Sequence, residues 1–172
     1  MSMIISIDVE TDGLYGPPIA IAAILEGSSV FSTFTWAADV LVNDPWVWKN
    51  VIPHTRKIKN RFASVPEMLN DFWEWFQERK EGTTIIAHMP YPVEFSLFRA
   101  CVELDPEQRQ WKGPMHIHDV GTLLLQAGEN PSSVDAYAQK HNLPLRYPKQ
   151  EHDPRSDADV ALTVWLHLCK QF

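Results

Sequence analysis

The stretch Ile4-Ile5-Ser6-Ile7-Asp8-Val9-Glu10-Thr11-Asp12-Gly13 spaces three carboxylates two residues apart at the end of an apolar run. In an extended chain, residues two apart project from the same face, so Asp8 and Glu10 leave the strand together. Two like charges placed that way need a cation or a raised pKa. Such a pair is a natural beginning for a divalent-metal site that hydrolyses phosphate esters. Asp12 precedes Gly13 in turn-like sequence and reads as a turn residue. A calcium-binding EF-hand loop shares the spacing but needs a bidentate glutamate at its twelfth position. Counted from Asp8, that position is Ile19. The residues before Asp8 also read as strand, where an EF-hand needs a helix.

A second acidic segment lies far down the chain: His152-Asp153-Pro154-Arg155-Ser156-Asp157, followed by Ala158 and Asp159. Proline in the first turn makes Asp153 the expected N-cap of a helix, with Asp157 about one turn inside it. His152, just before the helix, is placed to lean over the same site. Asp157 and His152 fit a metal ligand with a neighbouring general base, and equally well an acid and its neighbour at a helix N-terminus. Asp153 and Asp159 read instead as acids decorating a helix N-terminus. Between the two segments lies Ile85-Ile86-Ala87-His88-Met89-Pro90-Tyr91-Pro92-Val93-Glu94-Phe95. A strand ends there, a proline-bounded turn follows, and Glu94 falls in the first turn of a helix, where the dipole reading applies to it too. On its own, His88 reads as a hydrogen-bonded structural histidine.

The elements that must position these residues follow from patterning. Residues 3–8 read as a buried strand. Strands are also expected over 19–25 and 30–35, with a hairpin turn at 26–29, giving an N-terminal antiparallel meander. Residues 43–63, with Trp46, Trp48, Pro53 and the basic run Arg56, Lys57, Lys59, Arg61, read as an irregular or partly helical excursion. That basic run reads as solvated surface, with phosphate contact as the alternative. Ser64-Val65-Pro66-Glu67 is a capping box, and the helix after it sets Met68, Leu69, Phe72, Trp75 and Phe76 on one face. A buried strand is expected over 83–87 and a helix over 93–103. A short strand over 115–120 feeds a helix to about 126, and a further helix, capped by Ser132 or Ser133, runs to about 141. The last helix follows Asp153 with Val160, Ala161, Val164, Trp165 and Leu168 facing the core. This order predicts an α/β fold: a mixed β-sheet, meander plus parallel strands, flanked by α-helices.

The composition is that of a globular chain: 172 residues, 45% hydrophobic, 22% charged, with seven tryptophans and eight phenylalanines. It predicts one domain over 1–172. Cys101 and Cys169 sit in apolar helical patterns and read as buried free thiols. No apolar stretch spans a membrane and no basic leader precedes the first strand, so a cytoplasmic protein is expected. A net charge of −7 argues against a broad basic grip on nucleic acid but suits a site that meets phosphate through bound cations.

Taken together, the three segments resemble the DEDDh exonucleases, the ribonuclease-H-like family that includes proofreading subunits, ribonuclease T and oligoribonuclease. The first motif is Asp8-Val9-Glu10-Thr11-Asp12-Gly13. The third is His152 followed five residues later by Asp157-Ala158. The second is Ala87-His88-Met89, a long proline-containing spacer, then Val93-Glu94-Phe95. Asp119 matches an aspartate that often follows it. The match is closest to small bacterial or phage members, and it covers Asp8 to Ala158. The tyrosine subclass is a poor match, because its tyrosine position holds Asp153. The resemblance implies two Mg²⁺ or Mn²⁺ ions, with Asp8 bridging them, Glu10 and Asp157 on the first and Glu94 serving the second. His152 would take a proton from the attacking water. Gly13, Leu14, His88 and Arg155 fall on the substrate side, with Leu14 where the family wedges an apolar side chain against a terminal base. Ordinary turn packing is the alternative for Leu14. The implied activity is 3′–5′ hydrolysis of single-stranded RNA or DNA from its 3′ end, releasing nucleoside 5′-monophosphates, with no membrane partner and room for a homodimer. Glu94 stands where the family has aspartate, after a lengthened spacer. That departure carries a second reading: a catalytically weak or inactive module that binds nucleic acid or protein. A weaker third is a small-molecule phosphoesterase.

Overall fold

A computed structural model describes residues 3–170. Its six strands lie in one sheet, in the order β4-β3-β2-β1-β5-β6. Strand β1 (Met3–Thr11) is antiparallel to β2 (Pro18–Glu26), which is antiparallel to β3 (Phe31–Ala38). The expected meander is therefore present. Strand β4 (Arg61–Phe62) runs parallel to β3, β5 (Thr83–Ala87) parallel to β1, and β6 (His118–Asp119) parallel to β5.

Alternation along β1 divides the core into two layers. Ile5, Ile7 and Val9 pack on α3 (Val65–Gln77) and α4 (Val93–Glu103), among Met68, Phe72, Phe76 and Phe98. Aromatic rings fill that layer, with Trp36 edge-on to Phe72 at 5.3 Å between centroids, in the range where such pairs add to simple burial. Residues on the other face, starting with Ile4, meet α6 (Val120–Gln126), α7 (Val134–Lys140) and α8 (Pro154–Leu168). Ser6, Asp8 and Glu10 continue that row toward the C-terminal end of the strand. Ser6 is buried, and its hydroxyl donates to the carbonyl of Ala158 at 2.9 Å, which fixes β1 against the first turn of α8.

Three sequence readings change, at β1, Cys169 and Asp159, while the partly helical reading of 43–63 holds. Strand β1 runs on to Thr11, so Asp8 and Glu10 lie within it, not past its end. The 43–63 excursion contains two short helices, α1 (Pro45–Asn50) and α2 (Ile52–Thr55), before β4. Asp44 caps α1 through Trp46 N–H (2.7 Å) and Val47 N–H (3.1 Å). Cys101 is buried as expected, but Cys169, just past the end of α8, is exposed. Asp159 is not a surface acid at a helix end. It is fully buried and accepts from the N–H groups of Arg146 (2.6 Å) and Tyr147 (3.0 Å). A further short helix, α5 (Pro106–Arg109), follows α4. No helix among the described residues is long and apolar enough to cross a membrane.

Candidate active site

The pairing of β1 with β5 covers only Met3 to Ser6, while β2 stays paired with β1 to its end. The C-terminal half of β1 therefore opens on its β5 side, between an antiparallel and a parallel neighbour. In open α/β sheets, ligands bind at the carboxyl ends of the strands where the strand order reverses, and here the order reverses between β1 and β5. Asp8 and Glu10 project there, and the first turn of α8 brings Asp157 to meet them. One carboxylate oxygen from each of Asp8, Glu10 and Asp157 lies within 4.8 Å of the others. A cleft of about 320 Å³ opens beside them, lined by His88, Asp135, Lys149, Glu151 and His152 as well as Asp8 and Asp157.

The electrostatics show what the cluster lacks. Burial holds the Asp8 carboxyl well above its ordinary pKa, and the charges of Asp157, Glu10 and Glu94 push it the same way. Burial raises Asp157 to about 6, against the opposing pull of Lys149. Lys149 Nζ lies 2.5 Å from Asp157 Oδ1 and 2.9 Å from Asp135 Oδ1, one cation among several acids. Neither Lys149 nor Asp135 carried a signal in the sequence. They reach the site only because the loop before α8 and the start of α7 meet there.

Glu94 lies in the first turn of α4, and its side chain is only 5% exposed, with the Val9 N–H of β1 donating to it. Burial raises its pKa to about 8, opposed by its own N–H and that of Val9. It lies outside the tight trio of Asp8, Glu10 and Asp157.

His152 takes the position its place in sequence suggested. Its backbone is left-handed (φ 60°), a conformation more common in histidine than in most residues but still strained. Its Nδ1 lies 3.7 Å from Glu10 Oε1, an ion-pair distance rather than a hydrogen bond. Glu10 holds the imidazole above its ordinary pKa, with smaller help from Asp157 and Glu151. With Nδ1 turned to Glu10, Nε2 is the nitrogen left to accept a proton. The Trp46 ring stands edge-to-face with the imidazole at 5.0 Å.

The remaining expected residues separate into supports and exposed positions. Asp12 is a turn residue with a further task. Its carboxylate accepts from the N–H groups of Asn43 (2.8 Å) and Asp44 (2.9 Å), pinning the start of α1 beside the first motif. The turn between is tight, because a Cβ on Gly16 would lie 1.9 Å from the Asp12 carbonyl oxygen, so only glycine fits there. Gly13 takes a left-handed φ of 76°, and Leu14 beyond it is 57% exposed. His88 meets the carbonyl of Pro131 at 2.9 Å, as a structural histidine would, and also lines the cleft. Asp119 accepts from Met89 N–H (2.9 Å) and from Gly121 N–H (2.9 Å), so it holds the long spacer while capping α6. Asp153 caps α8 by accepting from Arg155 N–H at 3.1 Å. The Arg155 guanidinium also donates to Asp153, at 3.1 and 2.7 Å, which ties it to the helix cap and away from the cleft.

No known family model matches the sequence, and no curated protein does. Solved structures match over nearly all of it. The nuclease domain of 3′hExo, a DEDDh family member bound to rAMP, superposes with a TM-score of 0.74 at 10% identity, over 99% of this chain and 92% of that one. This chain shares the fold of that nuclease domain, a mixed six-stranded sheet flanked by helices. A full-length 3′-exonuclease (TM-score 0.68, 11% identity) matches over 99% of this chain and 82% of that one. Exonuclease X in complex with 5′ overhanging duplex DNA (TM-score 0.65, 16% identity) matches over 99% and 92%. The shared fold accounts for the sheet order and the layers of helices, and the site described above lies within it.

Proposed function

We propose that this protein is a DEDDh-type 3′–5′ exonuclease that uses divalent cations to hydrolyse single-stranded RNA or DNA. The observation that carries this reading is the convergence of Asp8, Glu10 and Asp157, with His152 beside Glu10, on a fold shared with exonucleases. The trio fits hard divalent cations: its donors are all carboxylate oxygens, and burial leaves two of the three short of compensating charge. Asp8, Glu10 and Asp157 would hold Mg²⁺ or Mn²⁺, with Glu94 serving a second ion. Bound there, such ions would supply Lewis acidity at the phosphate and at its leaving oxygen.

The chain's own residues supply the rest. His152 Nε2 accepts the proton of the attacking water while Glu10 steadies the resulting imidazolium. Water oxygen bonds to phosphorus as the bond to the 3′-oxygen of the preceding nucleotide breaks; that oxygen keeps the electron pair and takes a proton from solvent, and a nucleoside 5′-monophosphate is released. Lys149 offsets Asp157 until a cation takes over that task. Leu14, exposed on the turn after the first motif, is placed to meet the terminal base.

Protein stripped with EDTA and resupplied with Mn²⁺ should shorten a 5′-labelled single strand one nucleotide at a time. Failure to release mononucleotides from any RNA or DNA strand would overturn the reading. His152→Ala should lower kcat by about 10²–10⁴-fold. In the cation-free protein, NMR should show the His152 imidazole titrating above the ordinary imidazole range, because Glu10 favours the protonated form. A titration at or below that range would mean that Glu10 does not pair with His152.

One observation favours a weak or inactive nuclease: Glu94 is buried, with a pKa raised to about 8, so much of it is uncharged at neutral pH. On the main reading, cation binding draws its proton off, and Glu94→Asp cleaves at least as fast as wild type. Oligonucleotide binding with no cleavage by either protein would favour the second reading.

A further inference from the structure

The excursion between β3 and β4 is chemically unlike the rest of the chain. Residues 43–63 carry five basic residues and one acid, in a chain of net charge −7. The segment is firmly docked. Val47, Val51 and Ile52 bury against Ile19, and Asp12 holds its start. The Gln150 side-chain amide meets His54 Nδ1 at 2.5 Å, which ties α2 to the loop that delivers His152. The segment is thus fixed along the His152 side of an acidic cleft, while two of its cations are engaged away from it, Arg56 over Trp48 and Arg61 with Asp39.

On that segment the Trp46 indole touches the His152 ring yet remains 56% exposed, although indoles are usually largely covered. Lys49, three residues on and so on the same side of α1, is exposed and forms no ion pair among the described residues. An exposed aromatic face beside a free ammonium is the pairing that binds single strands without regard to sequence: bases stack on the ring, and phosphates meet the cation. Trp48 points to the opposite side of the helix, where the Arg56 guanidinium covers its ring at 4.7 Å.

We propose that α1 is the strand-binding wall of the cleft, with Trp46 stacking on a nucleobase and Lys49 meeting a backbone phosphate next to the scissile bond. This rests on the nuclease reading above and adds to it the residues that hold the strand. The ligand is a single-stranded nucleic acid. The exposed indole beside an unpaired ammonium, next to a site for phosphodiester hydrolysis, argues for a base-and-phosphate ligand over an apolar protein surface of the same shape.

Fluorescence anisotropy with a 5′-labelled single strand, its 3′ end protected by phosphorothioates, tests this in Mn²⁺. Trp46→Ala should weaken binding about tenfold or more, and Trp46→Phe should recover most of the loss. Lys49→Ala should lower the slope of log affinity against log salt by about one phosphate contact. Trp48→Ala should bind within twofold of wild type. Wild-type binding that survives intact in Trp46→Ala and in the Trp46→Ala/Lys49→Ala pair would overturn the wall while leaving the nuclease reading standing. Wild type that neither binds nor cleaves any strand would overturn the nuclease reading itself.

Discussion

Asp8→Ala and Asp157→Ala should each lose at least about a thousandfold in kcat/KM on a single-stranded oligonucleotide, yet melt no lower than wild type in EDTA. The two halves of this result have one cause. In the cation-free protein, Asp8 is buried among Asp157, Glu10 and Glu94, and its charged form is penalised by burial and by repulsion from all three. Removing one carboxylate relieves that repulsion, so stability holds or rises by a few degrees. The same deletion removes a cation ligand, so activity collapses. An acid kept for packing would behave in the opposite way, losing stability and sparing activity. Thermal melts in EDTA beside steady-state kinetics in Mn²⁺ separate the two. A large drop in melting temperature for both variants would show that the cluster is structural.

The second large effect is the pH dependence of cation binding. Asp8, Asp157 and Glu94 all have folded-state pKa values raised above their ordinary ones, Asp157 to about 6 and Glu94 to about 8. A raised carboxyl contributes stability that is complete below its unfolded pKa and is lost as pH rises through the folded one. The cation-free protein should therefore lose stability between about pH 5 and pH 8.5. His152 and Lys149, whose pKa values are also raised, lose their contributions in the same direction. Divalent cations bind the deprotonated acids, so they compete with protons and should recover the loss. At a hundredfold excess over Kd the gain is about 2.7 kcal/mol. The Mn²⁺-induced rise in melting temperature should be small at pH 5.5 and several degrees at pH 8. An equal rise at both values would mean that the cation binds elsewhere.

Much of this site was legible because its signals are local. Strand alternation set Asp8 and Glu10 on one face, and a proline one residue into a helix marked Asp153 as a cap and carried Asp157 with it. The same Asp-Pro signature stands at Asp44-Pro45 and announces α1, but the helix is only six residues long and its apolar positions are too few to show a period. Strand β4, two residues long, carries no pattern at all. Asp159 and Arg155 went astray for another reason. A helix N-terminus explains any acid near it, and only the fold shows that Asp159 is buried against the backbone at Arg146 and Tyr147 while Arg155 folds back onto Asp153. Lys149 and Trp46 were invisible as site residues because their partners lie on other elements. Glu94 stands out in the sequence as a departure from aspartate, but only the fold shows it buried beside Val9 of β1.

If Asp8, Glu10 and Asp157 form a divalent-cation site, crystals grown without cations and soaked in Mn²⁺ will show it by anomalous scattering. The expected result is a Mn²⁺ peak bound by oxygens of all three carboxylates, with Lys149 Nζ withdrawn from Asp157. A second peak within reach of Glu94 would complete the pair of ions. No peak between these carboxylates, at a Mn²⁺ concentration that saturates the rise in melting temperature, would contradict it.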